Sequence, residues 1–352
     1  MGQKTRKGRK AITTADMLGE NLLEVDNLRV VFSTREGEVT AVNDVSYQLR
    51  PGETLGIVGE SGCGKSVSSR AILRLVPGNG RIESGSIRFR KKEGPVDMTR
   101  LDPEGDLIRS IRGRDIAIVF QEPMTSFSPV ITVGRQIAEA IELHLGLDKE
   151  DAMAEAVEAL RRVGMPRPEH HVSAYPFNLS GGMRQRAMIA MALACSPALV
   201  IADEPTSALD VTIQSQILAL LKDIQSQSGM AVMMITHDLG VIAETADQVL
   251  VMYLGESVEC SPVDALFHNP KHPYTIGLLN SIPRVVESGR VPLDPIKGSV
   301  PSLLERPIGC PFHTRCAHVI KGLCDKVRPP EVTIEPGHTV RCHLYPGESE
   351  HA

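Results

Sequence analysis

The stretch GESGCGKS, Gly59 to Ser66, matches G-x-x-x-x-G-K-[ST] at every fixed position. Gly59, Gly62 and Gly64, with Ser61 and Cys63 between them, form a loop whose backbone N–H groups can close around phosphate oxygens. Lys65 adds a full positive charge toward the β- and γ-phosphates, and the Ser66 hydroxyl suits Mg²⁺. A second stretch, ALVIADEP from Ala198 to Pro205, is an apolar strand that ends in two carboxylates. Asp203 is placed to hold Mg²⁺ through water, and Glu204 to polarise an attacking water as general base. Acidic residues often end strands, so the meaning of this pair comes from the P-loop beside it. Together they point to a nucleoside triphosphatase that uses Mg²⁺.

Such chemistry needs a strand before the loop and a helix after it. TLGIV precedes Gly59 as a buried strand, and the pattern from Lys65 to Leu75 is helical. Residues 20–60 alternate short apolar runs with turn signals, and SGSIRFR and DIAIVF read as further strands. From about 130 to 195 the chain reads as mainly helical; Met153, Val157, Leu160 and Val163 share one face of DAMAEAVEALRRV. ALVIA and MAVMMIT are continuous apolar runs of strand length, as in a parallel sheet covered on both faces. A helix with Ile213, Ile217, Leu221 and Ile224 on its buried side joins them as a β-α-β unit. No repeat of solenoid period occurs. Past about residue 265 proline and glycine rise and helical periodicity fades, which places a domain boundary there.

LSGGMRQR, Leu179 to Arg186, repeats the logic of the P-loop: Ser180 can cap a helix whose first amides, with Gly181 and Gly182, face a phosphate. This stretch resembles the LSGGQ signature of the ATP-binding-cassette family, with Met183 in the Gln slot and Gln185 two residues on. The resemblance covers residues 22–265 and implies an α/β P-loop fold: a RecA-like core, an antiparallel β portion and an inserted helical subdomain at about 122–195. It further implies that the signature meets the γ-phosphate held by an opposite subunit, so hydrolysis requires a dimer. Gln121 in IVFQEP resembles the family's Q-loop residue, which senses Mg²⁺ and links the site to a membrane partner. SALD, Ser207 to Asp210, resembles the D-loop, and His237 in MITHD the switch histidine that bonds the γ-phosphate and catalytic water. Phe32 in RVVFS stands where the family places an aromatic against adenine, although a core role fits it as well. Val67 replaces a common Ser or Thr and keeps its backbone amide for the α-phosphate.

One P-loop and one signature in a chain without sustained heptads resemble the nucleotide-binding subunit of a prokaryotic importer more than the tandem-cassette translation factors or coiled-coil repair ATPases. NPKHPYTIGLLNSIP, Asn269 to Pro283, resembles a segment of the oligopeptide/dipeptide importer ATPases, as do FQEPMTSFSPV and GESGCGKSV; Phe127 and Ser128 depart from that pattern. This implies two transmembrane permeases, a second cassette (a copy or a paralogous subunit), an extracytoplasmic solute-binding protein, and a peripheral position at the cytoplasmic face of the membrane. Peptide is the default solute; relatives in the group carry oligosaccharides, opines or nickel. The rival class is a soluble ATPase acting on nucleic acid or ribosomes.

Four of the seven cysteines fall in the last 43 residues, spaced C-x5-C-x7-C-x17-C at Cys310, Cys316, Cys324 and Cys342. Disulfides fit poorly beside cytosolic ATP hydrolysis. Zinc sites usually show tight C-x2–4-C pairs, which are missing, whereas a cluster bound by four thiolates does not need them. Resemblance to the oligopeptide-importer tails implies a [4Fe–4S] cluster, with zinc as the alternative, acting as a staple for a small irregular domain at 266–346. Cys63, Cys195 and Cys260 read as small buried residues.

The chain of 352 residues carries a net charge of -5, 42% hydrophobic residues and no Trp, which gives neither a basic pull toward nucleic acid nor stacking platforms for it. The most apolar window, 187–202, is too short to span a bilayer and contains Pro197. MGQKTRKGRK lacks a following apolar stretch, so residues 1–20 read as a disordered basic tail rather than a secretory signal, and 347–352 as a second tail.

Overall fold

The computed structural model describes residues 21–121, 126–207, 210–282, 285–286, 289–290 and 296–345. Both expected tails lie outside the described residues, as do Glu122–Thr125, Ala208 and Leu209 of SALD, and Pro283.

Strands β1 (Leu23–Thr34), β2 (Gly37–Leu49), β4 (Gly80–Lys91) and β5 (Gly94–Asp97) form an antiparallel sheet in the order β2-β1-β4-β5. The main sheet takes β3 (Thr54–Val58), β6 (Ile116–Val119), β7 (Leu199–Asp203), β8 (Ala231–Ile235) and β9 (Gln248–Tyr253), all parallel, in the order β9-β3-β8-β7-β6. Every residue of β3, β7 and β8 is buried, as their unbroken apolar runs require. Alternation sends their side chains to opposite faces. Leu199, Ile201, Met233 and Ile235 join β1, β2 and β4 in one core, while Val200, Ala202, Val232 and Met234 join the helices in the other.

Helices α1 (Lys65–Ile72) and α2 (Asp106–Ile111) follow the P-loop and β5. The helical segment consists of α3 (Val133–Leu145), α4 (Lys149–Arg162), the short α5 (Pro168–His171) and α6 (Gly181–Leu193). Asp148 caps α4, accepting from Glu150 and Asp151 N–H at 3.1 and 3.0 Å. Leu160 and Val163 face the core as expected, while Met153 and Val157 lie at the edge of a stripe completed by the buried Ala152, Ala156 and Ala159. Small residues let α4 approach α3 closely. In α7 (Val211–Ser228) Ile217, Leu218 and Leu221 are buried, with Ile213 and Ile224 flanking. Helix α8 is Leu239–Thr245.

Past the expected boundary at 265 the chain shares the core of the residues before it. Strand β10 (Glu256–Pro262) turns back antiparallel on β9, α9 (Val263–His268) and α10 (Pro273–Asn280) follow, and a two-residue ribbon comprises β11 (Val285–Val286) and β12 (Gly289–Arg290). Then β14 (His338–Val340) pairs with β10 and β13 (Val332–Glu335) with β14, widening the main sheet to eight strands. Cys310, Phe312 and Cys324 pack into the same core as the helices. An irregular segment too short for a core of its own is thus stable by sharing one.

Ionic contacts fasten its far end to β2. Arg328 and Arg341 reach Asp44 at 2.8 and 3.0 Å, and Arg328 also meets the buried Glu256 at 3.1 Å. Burial opposes ionisation of Asp44, yet Arg341 and Arg328 hold its carboxyl below the usual range.

Candidate functional site

The P-loop leaves β3 at Gly59, whose φ of 149° and closeness to Met252 O, 2.2 Å from where a Cβ would stand, admit only glycine. Gly64, at φ 97°, is the left-handed residue from which α1 starts, and a Cβ there would meet Ala41 O at 2.4 Å. Ser61 and Gly62 are exposed on the loop's outer side. Lys65 is buried, and its Nζ donates to Gly59 O at 2.7 Å and Glu60 O at 3.2 Å. Its charge is thereby held on the loop that the amides line. The Cys63 side chain is buried with its Sγ 3.8 Å from Lys65 Nζ, and burial pushes its thiol pKa up. Cys63 therefore offers a ligand only its backbone. The side chain of Val67 packs against the core of the antiparallel sheet, which leaves its amide alone for a phosphate.

Asp203 ends β7 and is 2% exposed; its Oδ1 accepts from Ser66 Oγ at 2.9 Å. Burial raises its pKa against the opposing effects of Ser66, Arg70 and Lys65. A desolvated carboxylate beside a hydroxyl is an oxygen pair suited to a hard cation, so these residues fit Mg²⁺. Glu204, next in sequence, takes φ 50°, a left-handed conformation that costs a non-glycine residue about 1–2 kcal/mol. Its N–H donates to Ile235 O at 2.8 Å, which secures the turn. The turn brings the carboxylate between two other predicted residues: Gln121 Nε2 donates to Oε2 at 2.9 Å and His237 Nδ1 lies 3.1 Å from Oε1. Because the acceptor is a carboxylate, the shared proton sits on His237 Nδ1. Gln121, Glu204 and His237, from three separate strand ends, thus form one bonded group beside Asp203 and Ser66.

Ser180 caps α6 by accepting from Met183 N–H at 3.3 Å, and Ser180 and Gly181 are exposed. Gly182 lies against Ile213, whose Cγ2 is 3.0 Å from where a Cβ would stand. Gln185 departs from expectation. It is 1% exposed and its Nε2 donates to Pro205 O, so it ties α6 to the turn after Glu204 instead of facing a ligand. Its place one helical turn inside α6 is the reason. Asp210 also serves locally, capping α7 by accepting from Ile213 N–H at 3.0 Å. Phe32 is half-buried against the edge of its core and Gly80, so it retains an exposed part.

The four tail cysteines share one neighbourhood without disulfides. His318 and Ile320 donate backbone N–H groups to Cys316 Sγ and Cys324 Sγ at 3.4 Å, and the amides of Phe312 and Leu344 serve Cys310 and Cys342 in the same way. Burial, with the other three thiols adding to it, pushes Cys310 up to about 12. Among the described residues, no group of three or more His, Cys, Asp or Glu side chains is gathered as a ready-made metal site.

One set of contacts was not legible in the motifs. Arg315 and Tyr274, both beyond residue 265, bond Glu60 in the P-loop. HPYT marks Tyr274 as unusual in type, while nothing in the spacing distinguishes Arg315.

Comparison with known proteins places this geometry. The family profile described as ABC transporter matches residues 42–207, and that of the oligopeptide/dipeptide transporter C-terminal region matches 258–324. The dipeptide transport ATP-binding protein of Bacillus subtilis is 47% identical over 334 residues, 95% of this chain and 97% of its own length. The oligopeptide transport ATP-binding protein of Salmonella typhimurium is 48% identical over 330 residues, 94% and 96% of the two chains. Among solved structures, an ATP-binding cassette dimer in a post-hydrolysis state with ADP and Pi superposes with a TM-score of 0.60 at 26% identity, over 68% of this chain and 98% of that one. Among the described residues, no helix is long and apolar enough to cross a membrane.

Proposed function

The chain belongs to the ABC transporter family of ATPases, in the branch with an oligopeptide/dipeptide-type C-terminal region, and on that premise we propose that it powers a peptide importer. The observation that carries the catalytic reading is Glu204, whose carboxylate is aimed by Gln121 and His237 beside the Ser66–Asp203 pair. In this reading the P-loop amides and Lys65 bind the phosphates of ATP, and Ser66, Asp203 and Gln121 hold Mg²⁺, which supplies charge neutralisation for phosphoryl transfer. Glu204 orients water and accepts its proton, with His237 held on the same carboxylate. The exposed N-terminus of α6, bearing Ser180 and Gly181, offers amides to a nucleotide on a second protomer, a copy or a paralogue. Motion of the helical segment passes to two membrane permeases at the cytoplasmic face, fed by a solute-binding protein outside.

Glu204→Gln keeps the shape and loses the base. ATP binding by equilibrium titration is expected to persist while phosphate release falls about 10²–10⁴-fold; unaltered turnover would remove Glu204 from this role. The solute is tested by isolating the assembled transporter with its binding protein and identifying what that protein holds.

The tail cysteines are assigned here to a [4Fe–4S] cluster that staples the extension. The reading is supported by four free thiols in one neighbourhood, each accepting a backbone N–H. Anaerobically purified protein is expected to be brown, with iron and acid-labile sulfide; colourless protein with one zinc per chain would overturn the assignment.

A further inference from the structure

Glu60 is the second residue of the P-loop, and the C-terminal extension grips it from two sides. Its carboxylate accepts from Arg315 Nη1 at 2.7 Å and Nη2 at 3.1 Å, a bidentate pair. Its backbone N–H donates to the Tyr274 phenol oxygen at 2.9 Å. From within the loop, Glu60 O accepts from Lys65 Nζ at 3.2 Å and Cys63 N–H at 3.3 Å. One residue thus joins the extension to the lysine that meets phosphate.

Arg315 is built in firmly. Its side chain is 4% exposed, its Nε donates to Lys297 O at 3.1 Å, and its guanidinium lies 5.8 Å from the Tyr253 ring and 6.0 Å from that of Phe312. Burying a guanidinium is costly unless a fixed partner meets it. Here the partner is a carboxylate on the loop that receives a polyphosphate, where an unneutralised negative charge would repel the ligand.

We propose that Arg315 is a positioning residue for ATP: by neutralising Glu60 and pinning it together with Tyr274, it holds the P-loop and Lys65 ready for the triphosphate. The extension is then part of the nucleotide site, through its aromatic-packed arginine and independently of any group on the cysteines. The inference rests on the chain binding ATP, and the test keeps the two failures apart.

Steady-state ATP hydrolysis by the full chain assembled with its permeases gives KM and kcat, and equilibrium ATP titration in a Glu204→Gln background gives affinity without turnover. Arg315→Met is expected to raise KM and weaken ATP affinity about tenfold while kcat stays within about twofold. Arg315→Lys, a point charge without the fork, should fall between Met and wild type. Adding Glu60→Gln to Arg315→Met removes the stranded charge and should return KM most of the way to wild type. A merely structural arginine would lower the melting temperature and leave KM unaltered, and that result overturns the proposal. A double variant no better than the single one overturns it too. Where Arg315→Met does not assemble, Arg315→Lys decides: a raised KM that Glu60→Gln reverses supports the proposal, and a wild-type KM sinks it. Failure of wild-type protein to bind or hydrolyse ATP would instead sink the reading of function.

Discussion

At the C-terminal ends of β3 and β7 the working groups come from contiguous sequence: one loop supplies Gly59 to Ser66, and two adjacent residues supply the carboxylates. In the extension they come from scattered positions. Glu259 on β10 is fully buried and accepts from Lys271 N–H, His272 N–H and His338 Nε2, each at 2.8 Å, which joins β10, the start of α10 and β14. Tyr253, Tyr274 and Phe312 then pack ring to ring at 4.6–5.4 Å against the P-loop's underside. The difference teaches that the first region is organised by backbone geometry, which local sequence dictates, and the second by side chains whose partners are distant. Loss of a group should cost chemistry in the first and, Arg315 and its partner Tyr274 apart, stability in the second.

The sharpest break in that contrast would come from Lys65→Ala. Phosphate release is expected to fall about 10²–10³-fold, as for other donors aimed at developing charge, with little change in the melting temperature. Glu259→Ala should do the reverse: it strands three donors, two of them buried, and urea unfolding should show a loss of about 3–5 kcal/mol. Gln185→Ala tests the residue that changed sides. As a buried tie to Pro205 it should cost about 1–3 kcal/mol of stability; an unaltered unfolding midpoint with weakened ATP-driven dimerisation would return it to the ligand.

The smallest effect is one of pH. His272 is buried and its Nδ1 caps α10 by accepting from Tyr274 N–H at 3.1 Å; burial lowers its pKa from 6.5 to about 3. Below 6.5 the unfolded chain takes up a proton that the folded chain refuses, so stability is complete above 6.5 and declines as pH falls toward 3. The slope of melting temperature between pH 7 and 5 should be shallower in His272→Asn, which can cap without titrating.

Much of the candidate site was legible because its geometry is local. A Gly-rich loop between a buried strand and a helix can do little else, and the residues at the ends of parallel strands meet because those strands lie side by side. Gln185 misled because a residue near a helix N-terminus can face a ligand or the core, and only the packing of α6 on the β7 turn decides which. How the chain past 265 is held was less legible: Pro- and Gly-rich composition reports irregular backbone, and does not say which neighbour's core that backbone shares.

The sequence by itself therefore determined the phosphate loop, the order of strands and helices around it, and the two carboxylates at the end of β7, because each depends on neighbours a few residues away. Only the tertiary structure decided that β13 and β14 extend the main sheet, that Glu204 turns to meet Gln121 and His237, and that Arg315 reaches back to Glu60. Those contacts join residues far apart in the chain, and their energy comes from burial and charge pairing that exist only once the core has formed.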